Sequence, residues 1–185
     1  ESVIFSNGHE EKVKWNDKII SSLPLTLTAR LLGYKSNLTF RGIKSVYLAY
    51  DVPEVLPKDI HWLYYGSNKI YFNRVTEPKK LTPFVAPKDK TYLTAEITFS
   101  KCDEIDLMDS ELLIEKISDQ IEKVGLIEKN KLWDASTNKE SFVYPLLYTG
   151  YQQEKAKTQS SISKYQQLYS IGTGGDYNYA DSQIL

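Results

Sequence analysis

The sequence predicts an α+β fold, a mixed and mostly antiparallel β-sheet with flanking helices, from three observations. Two stretches, Ile43 to Val52 and Thr91 to Ser100, alternate with a period of two and are rich in β-branched and aromatic residues. One stretch, Ser110 to Val124, repeats its apolar residues at helical spacing. Short strand and helix patterns follow one another irregularly, behind a hairpin signal, which separates α+β from a regular doubly wound sheet.

In chain order, Asn7-Gly8 splits Val3-Ile4-Phe5 from Lys12 to Trp15, and both turn residues tolerate positive φ, so a β-hairpin opens the chain. Lys18 to Leu25 passes from a strand into a helix over Leu25 to Leu32, with Pro24 in its first turn, Ser22 as cap and Gly33 as stop. In Ile43 to Val52, Val46, Leu48 and Tyr50 share one face and Tyr47, Ala49 and Asp51 the other, which reads as a strand buried on both sides. Loops around Pro53 and Pro57, and around Pro78, Pro83 and Pro87, flank an aromatic stretch, HWLYYGSNKIYFNRV at 61 to 75. Thr91 to Ser100 sets Tyr92, Thr94, Glu96 and Thr98 opposite Leu93, Ala95, Ile97 and Phe99, a strand with one polar face. Asp109 caps the helix beginning at Ser110 and Gly125 closes it. A polar surface helix is expected within Gln152 to Gln166, then a short strand, Leu168 to Ile171, entering Gly172-Thr173-Gly174-Gly175.

Composition excludes several functions. With 23 Lys and Arg against 24 Asp and Glu, nothing favours a polyanionic partner such as nucleic acid. Apolar runs fall short of the roughly 20 residues that a membrane span needs. Cys102 stands alone, so no disulfide framework or cysteine-rich zinc site is expected, and its expected role is inert packing. His9 and His61 lack partners at ligand spacing, so no metal site is expected. No catalytic triad, Gly-x-Ser-x-Gly elbow or dinucleotide fingerprint occurs, and the glycines at 172 to 175 read either as a turn or as a loose amide cradle for phosphate. The chain opens at Glu1 and its only methionine is Met108, so it is expected to be a piece of a longer protein; Gln183, Ile184 and Leu185 end it without a polar tail.

The aromatic stretch carries the chemistry. Read as a hairpin, it points Ile60, Trp62 and Tyr64 one way on the first arm and puts Ile70, Phe72 and Arg74 on one face of the return arm. If the faces coincide, Arg74 stands beside an aromatic wall, which suits a nucleotide-sugar or another flat anionic ligand, because guanidinium binds phosphate oxygens in bidentate fashion and stacks on rings. The alternative is a Tyr-rich surface, with 14 Tyr against 6 Phe, on which Arg74 merely pairs with Glu96 across strands.

Taken in order, His61-Trp62-Leu63-Tyr64-Tyr65, Tyr71-Phe72-Asn73-Arg74-Val75-Thr76 and Ala95-Glu96-Ile97-Thr98 resemble the substrate-domain core of the FAD-dependent amine-oxidase and protoporphyrinogen-oxidase-like superfamily, and within it the UDP-galactopyranose mutases. Ile20 to Leu25, Tyr144-Pro145, Leu168 to Gly172 and Gly175 to Tyr179 extend the resemblance nearly end to end. It implies a single substrate-binding domain over residues 1–185, its Rossmann half lying elsewhere in the parent chain, with 168–185 beginning the C-terminal flavin-contacting segment. It further implies UDP-galactose as ligand, with Arg74 and the tyrosines Tyr144 and Tyr179 at the diphosphate and Trp62 and Tyr64 along the uridine and sugar. FAD would belong to the parent protein, approached by Gly172, Gly175 and Asp176, and no catalytic residue is expected in this piece. In such enzymes reduced flavin attacks the anomeric carbon, and the protein positions the sugar and neutralises charge. The family's arginine after the glycine is replaced by Thr173, and its Asn-x-Asp run is blurred into Ala180-Asp181-Ser182-Gln183. The resemblance places the protein in the cytoplasm, in surface-polysaccharide synthesis. Amine or porphyrinogen oxidation on the same fold, and a non-enzymatic binding module, are the other functions compatible with the sequence.

Overall fold

The computed structural model describes residues 2–180, so Asp181, Ser182, Gln183, Ile184 and Leu185 lie outside the described residues. The chain divides into two compact units, Arg41–Val143 and a second formed by Glu1–Phe40 with Tyr144–Leu185.

Arg41–Val143 is built on a five-stranded sheet. In chain order its strands are β4 (Phe40–Tyr50), β5 (Trp62–Tyr64), β6 (Arg74–Thr76), β7 (Thr91–Phe99) and β8 (Leu132–Pro145), arranged β5-β6-β7-β4-β8. The β5–β6, β6–β7 and β4–β7 pairings are all antiparallel. Just before β8 the Lys131 carbonyl accepts from Asp51 N–H, and within it Glu140 lies beside Gly42, so β8 runs opposite to β4. Alternation decides the faces. Val46, Leu48 and Tyr50 of β4, with Leu93, Ala95, Ile97 and Phe99 of β7, form one buried face. Helix α3 (Ser110–Lys123) covers it with Leu113, Ile117 and Ile121, all inaccessible to solvent; each stabilises the fold by about 1.5–3 kcal/mol relative to exposure. The expected caps hold: Asp109 accepts from Leu112 N–H at 2.9 Å, and Gly125 ends the helix at φ +78°. The opposite face of β4 is only half-buried, which corrects the expectation of a strand buried on both sides; no layer of this unit covers Tyr47 and Ala49 fully, and Asp51 is exposed.

Two loops are clamped to the sheet by single side chains. Glu77, fully buried, accepts from Val55 N–H, Leu56 N–H and the Thr91 hydroxyl at 3.0, 2.7 and 2.6 Å. Lys79 donates to the carbonyls of Pro53, Pro87, Lys88 and Lys90, tying both proline loops together. Cys102 is exposed at φ +66° in the turn before α2 (Glu104–Leu107), which corrects its expected packing role.

The other unit opens with the expected hairpin, β1 (Ser2–Ile4) against β2 (Glu10–Lys12), with Gly8 at φ +82°. β3 (Ile19–Ser21) pairs in parallel with β9 (Leu168–Ser170), which makes the fold mixed. α1 (Leu25–Leu31) starts from Pro24 as the capping position, and no side chain caps it, so Ser22 does not play that part. The expected surface helix is α4 (Tyr151–Ile162). Its Ile162 joins Leu25, Ala29, Leu38 and Tyr177 in a separate small core. Gly172–Gly175 forms a single helical turn, α5, and not a flexible loop.

Candidate functional site

The half-buried face of the sheet is a grid whose rows follow from strand register. Tyr64 lies opposite Arg74, Arg74 opposite Glu96, and Glu96 opposite Ser45, so these four share one face in one row. The next row is Trp62, Thr76, Thr94 and Tyr47. Arg74 therefore stands on the same face as Trp62 and Tyr64, as the hairpin reading requires. Phe72 does not join it. It is fully buried with Val75 on the core side and stacks edge-on against Tyr65 at 4.8 Å. The alternation breaks at Asn73, whose side-chain oxygen accepts from both the backbone and the hydroxyl of Thr98 and so replaces a strand rung. Ile70 also lies outside the return strand, which begins only at Arg74.

Arg74 both stands beside an aromatic ring and pairs with Glu96 across strands. Nη2 donates to Glu96 Oε1 at 2.6 Å, and Nη1 reaches the Tyr64 hydroxyl at 3.4 Å, with the guanidinium carbon 5.9 Å from the Tyr64 ring centre. Its Nε is buried with no hydrogen-bond partner. The hydrogen bond it donates to Glu96 holds the arginine well above its ordinary pKa, against the opposing effect of burial. The side chain is 35% exposed and that of Glu96 20%, so the pair is accessible to a ligand without being fully hydrated. Behind it, the loop between β5 and β6 is fixed to α3 and α2: Gln120 of α3 accepts from Tyr71 N–H at 2.9 Å, and the Tyr71 hydroxyl donates to Glu104 of α2, which raises the phenol's pKa.

Farther along the same face lies a cavity of about 220 Å³, floored by Tyr47, Ala49 and Tyr92 and walled by Pro87, Lys90 and Trp133. Lys90 sits 4.9 Å from the Trp133 ring and pairs with Asp51 at 2.7 Å. Pockets that enclose whole ligands run to about 300–1,000 Å³, so this cavity is smaller than a site that encloses a whole ligand. Sequence reasoning missed it because β8, which supplies Trp133, was not recognised as a strand.

The remaining candidate residues belong to the other unit. Tyr144 and Tyr179 are brought together, with ring centres 5.5 Å apart. Their neighbour Tyr177 is a core residue, its hydroxyl within 2.6 Å of the Thr39 carbonyl and 2.9 Å of that of Leu146. At Gly172, φ is +81° and nothing lies within 4 Å of where a Cβ would stand, so a cofactor could approach closely. Gly175 is different: a Cβ there would meet Ser170 Oγ at 2.9 Å, so its lack of a side chain serves the chain's own packing. The Asp176 carboxylate already accepts from Gln159 at 3.1 Å and lies 3.5 Å from Lys155. Of the three residues expected at a flavin, Gly172 alone fits; the described residues do not make a flavin cradle by themselves. Among them no cluster fits a metal ion, and no helix is long and apolar enough to cross a membrane.

Comparison with known proteins places this architecture. The chain has the fold of flavoprotein substrate domains. It superposes on reduced UDP-galactopyranose mutase with a TM-score of 0.81 over 96% of its length, at 20% sequence identity. A protein of Exiguobacterium sp. 255-15 assigned as a protoporphyrinogen oxidase aligns with a TM-score of 0.68 over 94% of the chain, at 16% identity. The chain spans 39% of each of those structures. No protein-family model matches the sequence, and no curated protein does.

Proposed function

We propose that this chain is the substrate-binding part of a flavin-dependent enzyme resembling UDP-galactopyranose mutase, and that the open face of its five-stranded sheet receives a nucleotide-sugar. The observation that carries this reading is the row of Tyr64, Arg74 and Glu96, with Trp62 in the adjacent row of the same face. A diphosphate docks against the Arg74 guanidinium, and the flat faces of Tyr64 and Trp62, exposed at 70% and 48%, offer stacking surface to a base or sugar. Tyr144 and Tyr179 serve in this reading as further phosphate donors. FAD, when bound in the parent protein, would supply the nucleophile for the anomeric carbon, held chiefly by residues outside this chain, with Gly172 leaving it room to approach. This assignment carries with it the isomerase activity, a role in polysaccharide synthesis and a cytoplasmic location.

A second reading is supported by one observation: Arg74 is already neutralised by Glu96. A substrate of lower charge, such as a carboxylate-bearing ring acted on by an oxidoreductase, needs only the hydrogen bonds and not the full cation. Titration calorimetry with UDP separates the two. The mutase-like reading expects saturable UDP binding that Arg74→Ala weakens by roughly tenfold or more, the worth of a charge-assisted hydrogen bond. Saturable binding of a carboxylated tetrapyrrole, with no UDP binding, supports the oxidoreductase.

A further inference from the structure

We propose that Arg41 is a second oxyanion-binding residue on the open face of the sheet, a proposal that rests on the reading of that face as the ligand side. Arg41 lies in β4, in alternation with Ile43, Ser45 and Tyr47, so it shares the face of Glu96 and Arg74. Its Nε is buried without a hydrogen-bond partner, and among the described residues no carboxylate pairs with it. The two arginines of this face are therefore in opposite electrostatic states. Arg74 has its charge matched by Glu96 at 2.6 Å. Arg41 has a permanent charge that no carboxylate matches, while a buried Nε–H without an acceptor is common to both arginines.

A buried donor without an acceptor is unfavourable in the free protein, and the cost is recovered when an acceptor arrives. An oxyanion approaching Arg41 displaces no competing carboxylate, whereas at Arg74 it must share the guanidinium with Glu96. The chemistry calls for arginine specifically, since a guanidinium keeps its charge when partly buried and presents paired donors to two oxygens. Arg41 is four residues along β4 from Ser45, and Ser45 is two strands from Arg74, so ideal sheet spacings set the two Cα atoms about 16 Å apart. A single phosphate does not bridge that gap at its midpoint with both side chains relaxed. The ligand class is an elongated one, with an oxyanion at one arginine and a second polar or anionic group at the other, as in a diphosphate ester.

The test uses the whole 185-residue chain, with inorganic pyrophosphate and UDP as probes. Nitrogen-15 spectra of the arginine Nε–H groups are followed in the wild type, which needs no substitution to fold, and affinities are measured for Arg41→Gln and Arg41→Lys. The expected result is a saturable shift of the Arg41 Nε–H signal with pyrophosphate and UDP, a roughly tenfold or greater loss of affinity in Arg41→Gln, and a smaller loss in Arg41→Lys. An Arg41 signal unmoved by both probes overturns the proposal. So does Arg41-independent UDP binding that still requires Arg74, which leaves the nucleotide-sugar reading intact. Pyrophosphate binding at Arg41 with no response to UDP supports Arg41 as an oxyanion site and counts against the nucleotide-sugar reading.

Discussion

Replacing Glu96 by Gln separates a ligand-binding arginine from one that merely holds two strands together. The substitution keeps the side-chain length and an acceptor oxygen for Arg74 Nη2, so only the charge is lost. The pair sits at cross-strand positions with side chains 35% and 20% exposed. Opposed pairs of this kind stabilise a sheet by about 0.2–1 kcal/mol, and surface screening keeps the figure near the top of that range at most. A domain of this size should then melt about 2–4 °C lower for a loss of 1 kcal/mol. Binding should move the other way. A phosphate in contact with Arg74 lies about 6 Å from the Glu96 carboxylate, and at an effective dielectric between about 20 and 80 the repulsion is about 0.7–2.8 kcal/mol. Its removal should tighten UDP binding by roughly 3- to 100-fold, with the gain shrinking in high salt. Calorimetry and thermal melts on the two proteins supply both numbers. A folded Glu96→Gln protein that binds UDP no better than the wild type would refute the claim that the anion meets Arg74.

Three further predictions concern the scaffold. Glu77→Gln should lower stability to urea by about 2–4 kcal/mol, since it puts an amide NH2 against three donors that now share one buried carboxylate. Gly42→Ala should cost about 1–3 kcal/mol, because its Cβ would collide with the Phe99 ring and the Glu140 carbonyl, the latter backbone that cannot give way; an unchanged urea midpoint would contradict the close β4–β8 approach. Stability should rise with pH toward about 10 and then fall. Burial depresses the Lys44 pKa below its ordinary 10.5, so on approaching that value the unfolded chain holds more protons and folding gains. Above about pH 10 the order reverses, because burial raises Tyr50 and Tyr177, and the unfolded phenols ionise first. Denaturant midpoints measured from pH 8 to 11 check the sign, and Lys44→Met should abolish the rise.

Most of the fold was legible where one physical signal dominated. The helix at Ser110 could be read from its apolar spacing and its Asp109 and Gly125 ends, and β7 from strict alternation. β8 was not legible, since Asp134 to Phe142 carries Ser, Thr, Asn, Lys and Glu on a largely exposed strand whose pairing with β4 no local pattern announces. β4 was placed three residues late because Arg41 and Gly42 interrupt its apolar run, and that delay also hid Arg41 from the site. The neighbourhood of Arg74 followed correctly from period-two logic across β5, where register and alternation agree. The same logic failed across Asn73, because one side-chain acceptor stands in for backbone and rotates Phe72 into the core. Gly175 shows a related limit: a sequence marks where a side chain is missing, but only the packing reveals whether a ligand or the chain itself fills the space.

The central claim, that the sheet's open face holds a diphosphate at Arg74, is tested most directly by the ratio of UDP to uridine affinity in the wild-type chain, repeated in Arg74→Ala. The account predicts a large preference for UDP that collapses when the guanidinium is removed while uridine binding stays as it was. Equal affinity for UDP and uridine in the wild type, or a preference that survives in Arg74→Ala, would contradict it.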